Sequence, residues 1–307
     1  MSGPLTLRFS TQAALDVRRI TRELSELQAK VASGAEANDL QGFGGASSRL
    51  LNAQSLKSAA DSRSSVINQL QARWGVQGSA LGQVAEAAGL LAQSIREAIS
   101  SNDGRGIGVE LELSFSSIVS ALNETWNGIP LFAGERQVGG PIRIGTLDDL
   151  QAATGPDDIF DEAARHQTID LGSGAPIVLS RKASELSAGL FDTLKQLKDL
   201  IDASGGQIGQ PIDHATRTAL QAFADRLDSE ANNFTNEEGR AGQLQSRFDA
   251  ERVRLQQRSN LLVKEIGDQA DADIAQVSIQ LNTLMVQYQA AAKTFADLSK
   301  LSLLDYL

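Results

Sequence analysis

The sequence predicts a mainly α fold: a long antiparallel helical rod with coiled-coil helices at both chain ends and a small β-rich insertion between its arms. Three observations predict it. Every proline except Pro4 falls between Pro130 and Pro211. That leaves two proline-free arms, Leu5 to Gly128 and Ile212 to Leu307, in which no ring removes a helical hydrogen bond or clashes with the preceding turn. Both arms carry apolar residues at alternating steps of three and four, the spacing of a coiled-coil seam. Apolar residues make up 41% of the chain but aromatics only 5%, a balance suited to slim helical bundles.

The first helix is predicted from about Thr11 to Ala32, with its seam on Ala13, Val17, Ile20, Leu24, Leu27 and Val31. Ser33-Gly34 stops it, because glycine readily closes a helix C-terminus. Ala35 to Gly45 reads as a loop, and Gly42-Phe43-Gly44-Gly45 as a flexible bend. A second long helix follows from about Ala46 to Ser100. Its apolar positions are Val66, Leu70, Trp74, Leu81, Val84, Ala88, Leu91 and Ile95, with one slip near Gly75 and Gly78 that reads as a stutter. After the turn at Asn102-Asp103-Gly104, a helix carrying Leu111, Phe115, Ile118 and Leu122 leads to Asn127-Gly128.

From Ile129 to about Ser180 the pattern changes. Prolines, paired glycines and the β-branched pieces Pro141 to Ile144 and Ile177 to Leu179 predict short strands and turns. Eight acidic residues against three arginines place half the net charge of −10 here, so the insertion is expected to face solvent. Helical spacing resumes with Leu186, Leu190, Leu194, Leu197 and Ile201 and ends at Gly205-Gly206. Leu220, Leu227, Phe234, Ala241, Phe248, Leu255 and Leu262 then recur every seven residues. They predict one helix from about Asp213 to Ile266, roughly 80 Å long at 1.5 Å per residue. The last helix carries the seam Ile274, Val277, Leu281, Leu284, Tyr288, Ala291, Phe295 and Leu298. The expected organisation is 1–34 pairing with 270–307, rod arms at 35–128 and 181–269, and the acidic insertion at 129–180.

Catalytic or metal chemistry has little to stand on. There is no cysteine, so no thiolate ligand or cysteine nucleophile is available. His166 and His214 are the only histidines, and both read as surface residues. Neither has a glutamate three residues before it, as a di-metal helical bundle would need. Asp268, Asp271 and Asp273 lack the glycine and terminal glutamate of a calcium loop, and are expected to satisfy helix amides instead. Gly42 to Gly45 lacks the lysine of a phosphate loop. Asn123-Glu-Thr and Asn233-Phe-Thr match a glycosylation pattern but fall in predicted helices, and Trp74 and Trp126 read as packing residues on helical faces. The acidic balance excludes nucleic acid and an anionic membrane surface as partners. No apolar run is long enough to span a bilayer, and the N-terminal stretch, with Arg8 inside its apolar patch, does not read as a cleavable signal. No cofactor is expected. Periodicity alone leaves a long helical rod open to any oligomeric coiled-coil role.

Several segments, in order, resemble the flagellin superfamily of bacterial flagella. Leu7 to Gly34 is similar to the family's opening helix, with its small-Ser-Gly stop. Asn127 to Gly134 (NGIPLFAG) is similar to the stretch closing the N-terminal arm. Glu238 to Leu244 (EGRAGQL) resembles a segment of the long C-terminal helix with its arginine displaced, and Asp271 to Ala275 (DADIA) the entry to the last helix. The ending Leu301 to Leu307 (LSLLDYL) and the Leu131 to Gly134 wording lean toward members that join hook to filament. Asn38-Asp39-Leu40 followed by glycines replaces the family's Asp-Asp-Pro-Ala segment, the mark of a divergent branch.

The resemblance implies a fold in which terminal helices pair as the inner wall of a tube and the insertion faces out. It implies an extracellular structural part of the flagellum, not an enzyme: an adaptor ring joining the hook, through another hook-associated protein, to the flagellin filament. Its implied partners are other copies of itself, that hook-associated protein, flagellin, an export chaperone and the type III export apparatus. A flagellin filament subunit is the alternative within the family. A soluble coiled-coil signalling or chaperone-type binding module is the alternative outside it.

Overall fold

The computed structural model describes residues 3–37, 39–170 and 176–304, with side chains over 12–297 apart from residue 13. The side chains of the expected seam residues Ala13 and Leu298 therefore lie outside the described residues, as do Asn38 and 305–307. Two compact units divide the chain: Met1–Ser62 with Arg254–Leu307, and Arg63–Val253.

The first unit holds α1 (Gly3–Ser33) and α8 (Ile274–Leu304). Helix α1 begins at Gly3 rather than at Thr11, because Pro4 falls in the first turn, where its missing N–H has no helical acceptor to lose. Its end is the expected one. Gly34 takes φ +70°, and its N–H bonds to Lys30 O at 2.8 Å. Asp273 caps α8, its Oδ1 accepting from the amides of Ala275 and Gln276 at 3.1 Å each. That is the capping role expected for the aspartates here, whereas Asp271 sits in a bridge to Ala35. Gly42-Phe43-Gly44-Gly45 is a defined turn leading into a single 3-10 turn at Gly44–Ala46, and the Gly42 amide is held by Asp39 Oδ1 at 2.8 Å. Helix α2 (Ser47–Ser101) starts in this unit and α7 (His214–Ala270) ends in it. Ser259 Oγ of α7 donates to Asp61 Oδ1 of α2 at 2.8 Å.

In the second unit α2 and α7 are antiparallel: Gln71 and Gln245 exchange side chain–backbone hydrogen bonds, while Arg96, further along α2, pairs with Asp225 and Asp228, earlier on α7. The heptad residues Leu220, Leu227, Phe234, Ala241 and Phe248 are all buried, as are Leu255 and Leu262 in the first unit. On α2 the expected stutter does not exist. Ile67, not Val66, is the core position, and Ile67, Leu70, Trp74, Gln77, Leu81, Val84, Ala88, Leu91, Ile95 and Ala98 are all buried in unbroken steps of three and four. The gap in the apolar pattern is Gln77, a polar side chain occupying a seam position. Its Oε1 and the Nε of buried Arg73, one turn away, have no hydrogen-bond partner among the described residues. Arg73 is anchored by Nη2 donating to Gln167 Oε1 at 2.6 Å.

Helices α3 (Ile107–Leu122) and α6 (Ala183–Ala203) complete the bundle. Their buried faces meet at Phe115 and Phe191, whose rings lie edge to face with centroids 6.2 Å apart. Strands β1 (Thr125–Trp126) and β2 (Ile129–Pro130) form a hairpin. Its two loop residues, Asn127 and Gly128, both take positive φ, the conformation that makes Asn-Gly the preferred two-residue hairpin loop. Trp126 therefore lies on a strand rather than a helix, though it still packs against the core. Asn123 follows α3 and bonds the backbone of Ile142 through both side-chain atoms.

The insertion contains α4 (Leu147–Ala152), α5 (Pro156–Ile159) and the hairpin β3 (Thr168–Ile169) with β4 (Ile177–Val178). Pro141 to Ile144, expected as a strand, makes a single bridge from Ile142 to Phe160. The insertion is not wholly solvent-facing either. Phe132, Ile142, Ile144, Leu147, Leu150 and Phe160 enter the main core of this unit, and the Phe160 ring packs on Phe191 at 5.7 Å. A count of its charges could not reveal this, because charge at some positions says nothing of what the apolar residues between them meet.

Several aspartates hold helix starts and turns. Asp149 closes a capping box with Thr146, and Asp213 binds both the hydroxyl and the amide of Thr216 at the start of α7. The Thr146 hydroxyl holds the Asp149 carboxyl below the ordinary 3.8 and the Thr216 hydroxyl does the same for Asp213. The Arg105 guanidinium takes Asp103 down to about 2. A carboxylate depressed on folding stabilises the fold above its unfolded value and loses that contribution as pH falls through its folded value. Thermal stability is therefore expected to hold as pH falls from 7 toward 3.8 and then to drop toward 2. Circular-dichroism melts across that range test it, and an unchanged melting temperature at pH 2.5 would refute it.

Candidate assembly surface

No described group of three or more acidic, histidine or cysteine side chains could hold a metal ion, and no described helix is long and apolar enough to cross a membrane. His166 sits with Nε2 3.0 Å from both carboxylate oxygens of Glu185. Burial pushes the Glu185 carboxyl up and the His166 hydrogen bond draws it down, with a net lowering. His214 opens α7 and accepts from Thr218 Oγ1 through its backbone carbonyl. The chain's apolar surface, by contrast, is concentrated on helices.

The first unit carries most of it. Helices α1 and α8 pair in antiparallel sense, as the Ala35–Asp271 bridge at one end of the pair and Leu27 opposite Ile279 and Leu284 further along show. Of the described seam residues predicted from spacing, only Ile20 and Val277 are buried. Val17, Leu24, Leu27, Leu281, Leu284 and Ala291 are half-buried, and Val31, Ile274, Tyr288 and Phe295 are exposed. The structure thus brings the two stripes onto a paired element without closing them. A two-helix contact covers only one side of each helix, and side chains flanking the contact stay wet.

Helix α8 also has a second apolar stripe that the seam assignment missed: Ile279 and Val286 are about two-thirds exposed, with Met285 beside them. Their spacing of seven was visible in the sequence, but nothing there separates a covered stripe from an open one. Monomeric proteins rarely leave so much apolar surface uncovered, and such surface marks an interaction site.

Charge is distributed in the opposite way. The first unit has 12 basic and 12 acidic side chains, a net charge of zero, while the second has 16 basic and 26 acidic, carrying the entire −10. The unit with open apolar helices is therefore the electrically neutral one.

Residues 224–307 match the family model described as the bacterial flagellin C-terminal helical region. The search of curated proteins found no match. Among solved structures, one from Vibrio parahaemolyticus described as a flagellar hook-associated protein is similar at 18% identity with a TM-score of 0.60. The similarity covers 76% of this chain and 99% of that one. The FlgL protein of Bacillus cereus is similar at 14% identity with a TM-score of 0.54, over 70% of this chain and 97% of that one. At these identities the structures establish the fold. Residues 224–307 are thus similar to the flagellin C-terminal helical region, and over most of its length the chain has the fold of these two flagellar structures.

Proposed function

We propose that the protein is a structural component of the bacterial flagellum, an adaptor ring joining the hook, through another hook-associated protein, to the flagellin filament. The observation that carries this reading is the half-open α1–α8 pair: both chain ends lie in a neutral unit whose apolar stripes need neighbours to cover them. Covering those stripes couples full burial of the ends to assembly. The seam positions Val17, Ile20, Leu24, Leu27, Val31, Ile274, Val277, Leu281, Leu284, Tyr288, Ala291 and Phe295 are its assembly residues. The role is mechanical, matching two lattices without catalysis. Export through a flagellar type III apparatus, with a chaperone shielding α8 beforehand, belongs to the same reading.

The matching family model is named for flagellin itself, which favours a filament subunit as the second reading. Immunogold labelling of intact flagella separates the two. A single band where hook meets filament is expected. Label along the whole filament makes the protein a flagellin, and no label on flagella overturns both readings.

A further inference from the structure

The second unit has an open groove between α2 and α3. Glu86 and Leu90 line one wall, Glu110, Leu113 and Ser117 the other. Leu90 and Leu113 are more than half exposed, no cation lines the groove, and neither glutamate makes an ion pair among the described residues. A serine-lined groove with two exposed leucines and unpaired carboxylates on its walls fits a helix whose exposed face carries an apolar residue between cations.

The first unit presents such a face. On the C-terminal part of α7, Arg258, Leu261 and Lys264 follow one another at steps of three and are all exposed, Leu261 at 69%. Arg258 and Lys264 make no ion pair among the described residues. We propose that this face of one copy docks in the α2–α3 groove of a second copy, with Leu261 between Leu90 and Leu113 and the two cations against Glu86 and Glu110. Net charge points the same way. Two second units brought together set −10 against −10, whereas a first unit approaches without net repulsion. Groove and face are different surfaces, so the contact is heterologous and passes from copy to copy as a ring or helix does. The inference rests on the flagellar reading above and specifies how neighbouring copies meet.

The absence of native cysteine makes the test direct. Flagella are isolated from cells whose only copy is L113C/L261C, oxidised and run on a non-reducing gel. A ladder of covalent dimers and larger species is expected, lost in L113C alone, in L261C alone and in V138C/L261C, which moves one thiol to an exposed loop. If the cysteine protein is in the flagella and no ladder forms, the docking is overturned while the flagellar reading stands. If the unsubstituted protein is absent from flagella, that reading falls and this inference with it. Should the cysteine variant fail to assemble, E86K/E110K decides the matter. It is expected to lose incorporation and to regain it when combined with R258E/K264E, and failure of that rescue overturns the docking.

Discussion

Replacing Trp74 by alanine is expected to destabilise the protein by about 3–5 kcal/mol, the range for truncating a large buried aromatic side chain. Trp74 is fully buried at the α2–α7 contact of the second unit. Its ring stacks on Phe248 with centroids 4.7 Å apart and planes 27° apart, and its Nε1 donates to Leu179 O at 2.9 Å, tying the strand end after β4 to the bundle. Alanine removes the ring, leaves Phe248 facing a cavity and strands a buried carbonyl. Trp74→Phe separates these effects. It retains most of the stack and loses the hydrogen bond, so it should cost about 1–3 kcal/mol, the penalty for one unsatisfied buried acceptor. Urea unfolding followed by far-ultraviolet circular dichroism measures both. A Trp74→Ala loss below about 1 kcal/mol, the level of an ordinary surface change, would show that the ring is not a core element.

Leu284→Asp is expected to abolish incorporation into flagella while leaving the second unit folded. Leu284 is half-buried and lines the α1–α8 groove beside Leu27, Ile279 and Thr283. In an isolated monomer a carboxylate there can still reach water, so the cost is small. In an assembly that covers the groove the charge would be buried without a partner, a penalty of several kcal/mol on each copy. Leu284→Ala, which only loses apolar area, should weaken incorporation without eliminating it. Swimming plaques and flagellar preparations report the first outcome, and an unchanged melting transition of the purified variant reports the second. Normal flagella built with Leu284→Asp would remove Leu284 from the assembly surface.

These two residues also mark the limit of what spacing reveals. The heptad run from Leu220 to Leu262 was legible because one polar residue in the wrong place would have broken it, and none does. The helix start near Asp213 and the stop at Gly34 were legible because each depends on local backbone chemistry, whereas the hairpin at Asn127-Gly128 was not, its first strand reading as the end of a helix. The continuity of the α2 seam was not. Gln77 holds a core position with a polar side chain, and an apolar count registers that as a stutter. Helices α4 and α5 are four to six residues long, too short for periodicity to show; a capping box opens α4, and the Phe160–Phe191 contact packs the residue that follows α5.

The sequence by itself determined which long helices exist, about where they stop, that the chain is acidic and that both ends carry apolar stripes, since these follow from short-range chemistry and residue spacing. Only the tertiary structure decided which stripes are covered. It closed the α2–α7 seam around Trp74, left Leu284, Ile279 and Val286 open, buried the apolar side of an insertion that reads as surface, and put Glu86 and Glu110 on the two walls of one groove. The physical reason is that spacing specifies the apolar face of one helix, whereas burial depends on the neighbours that face meets, and those come from distant parts of the chain.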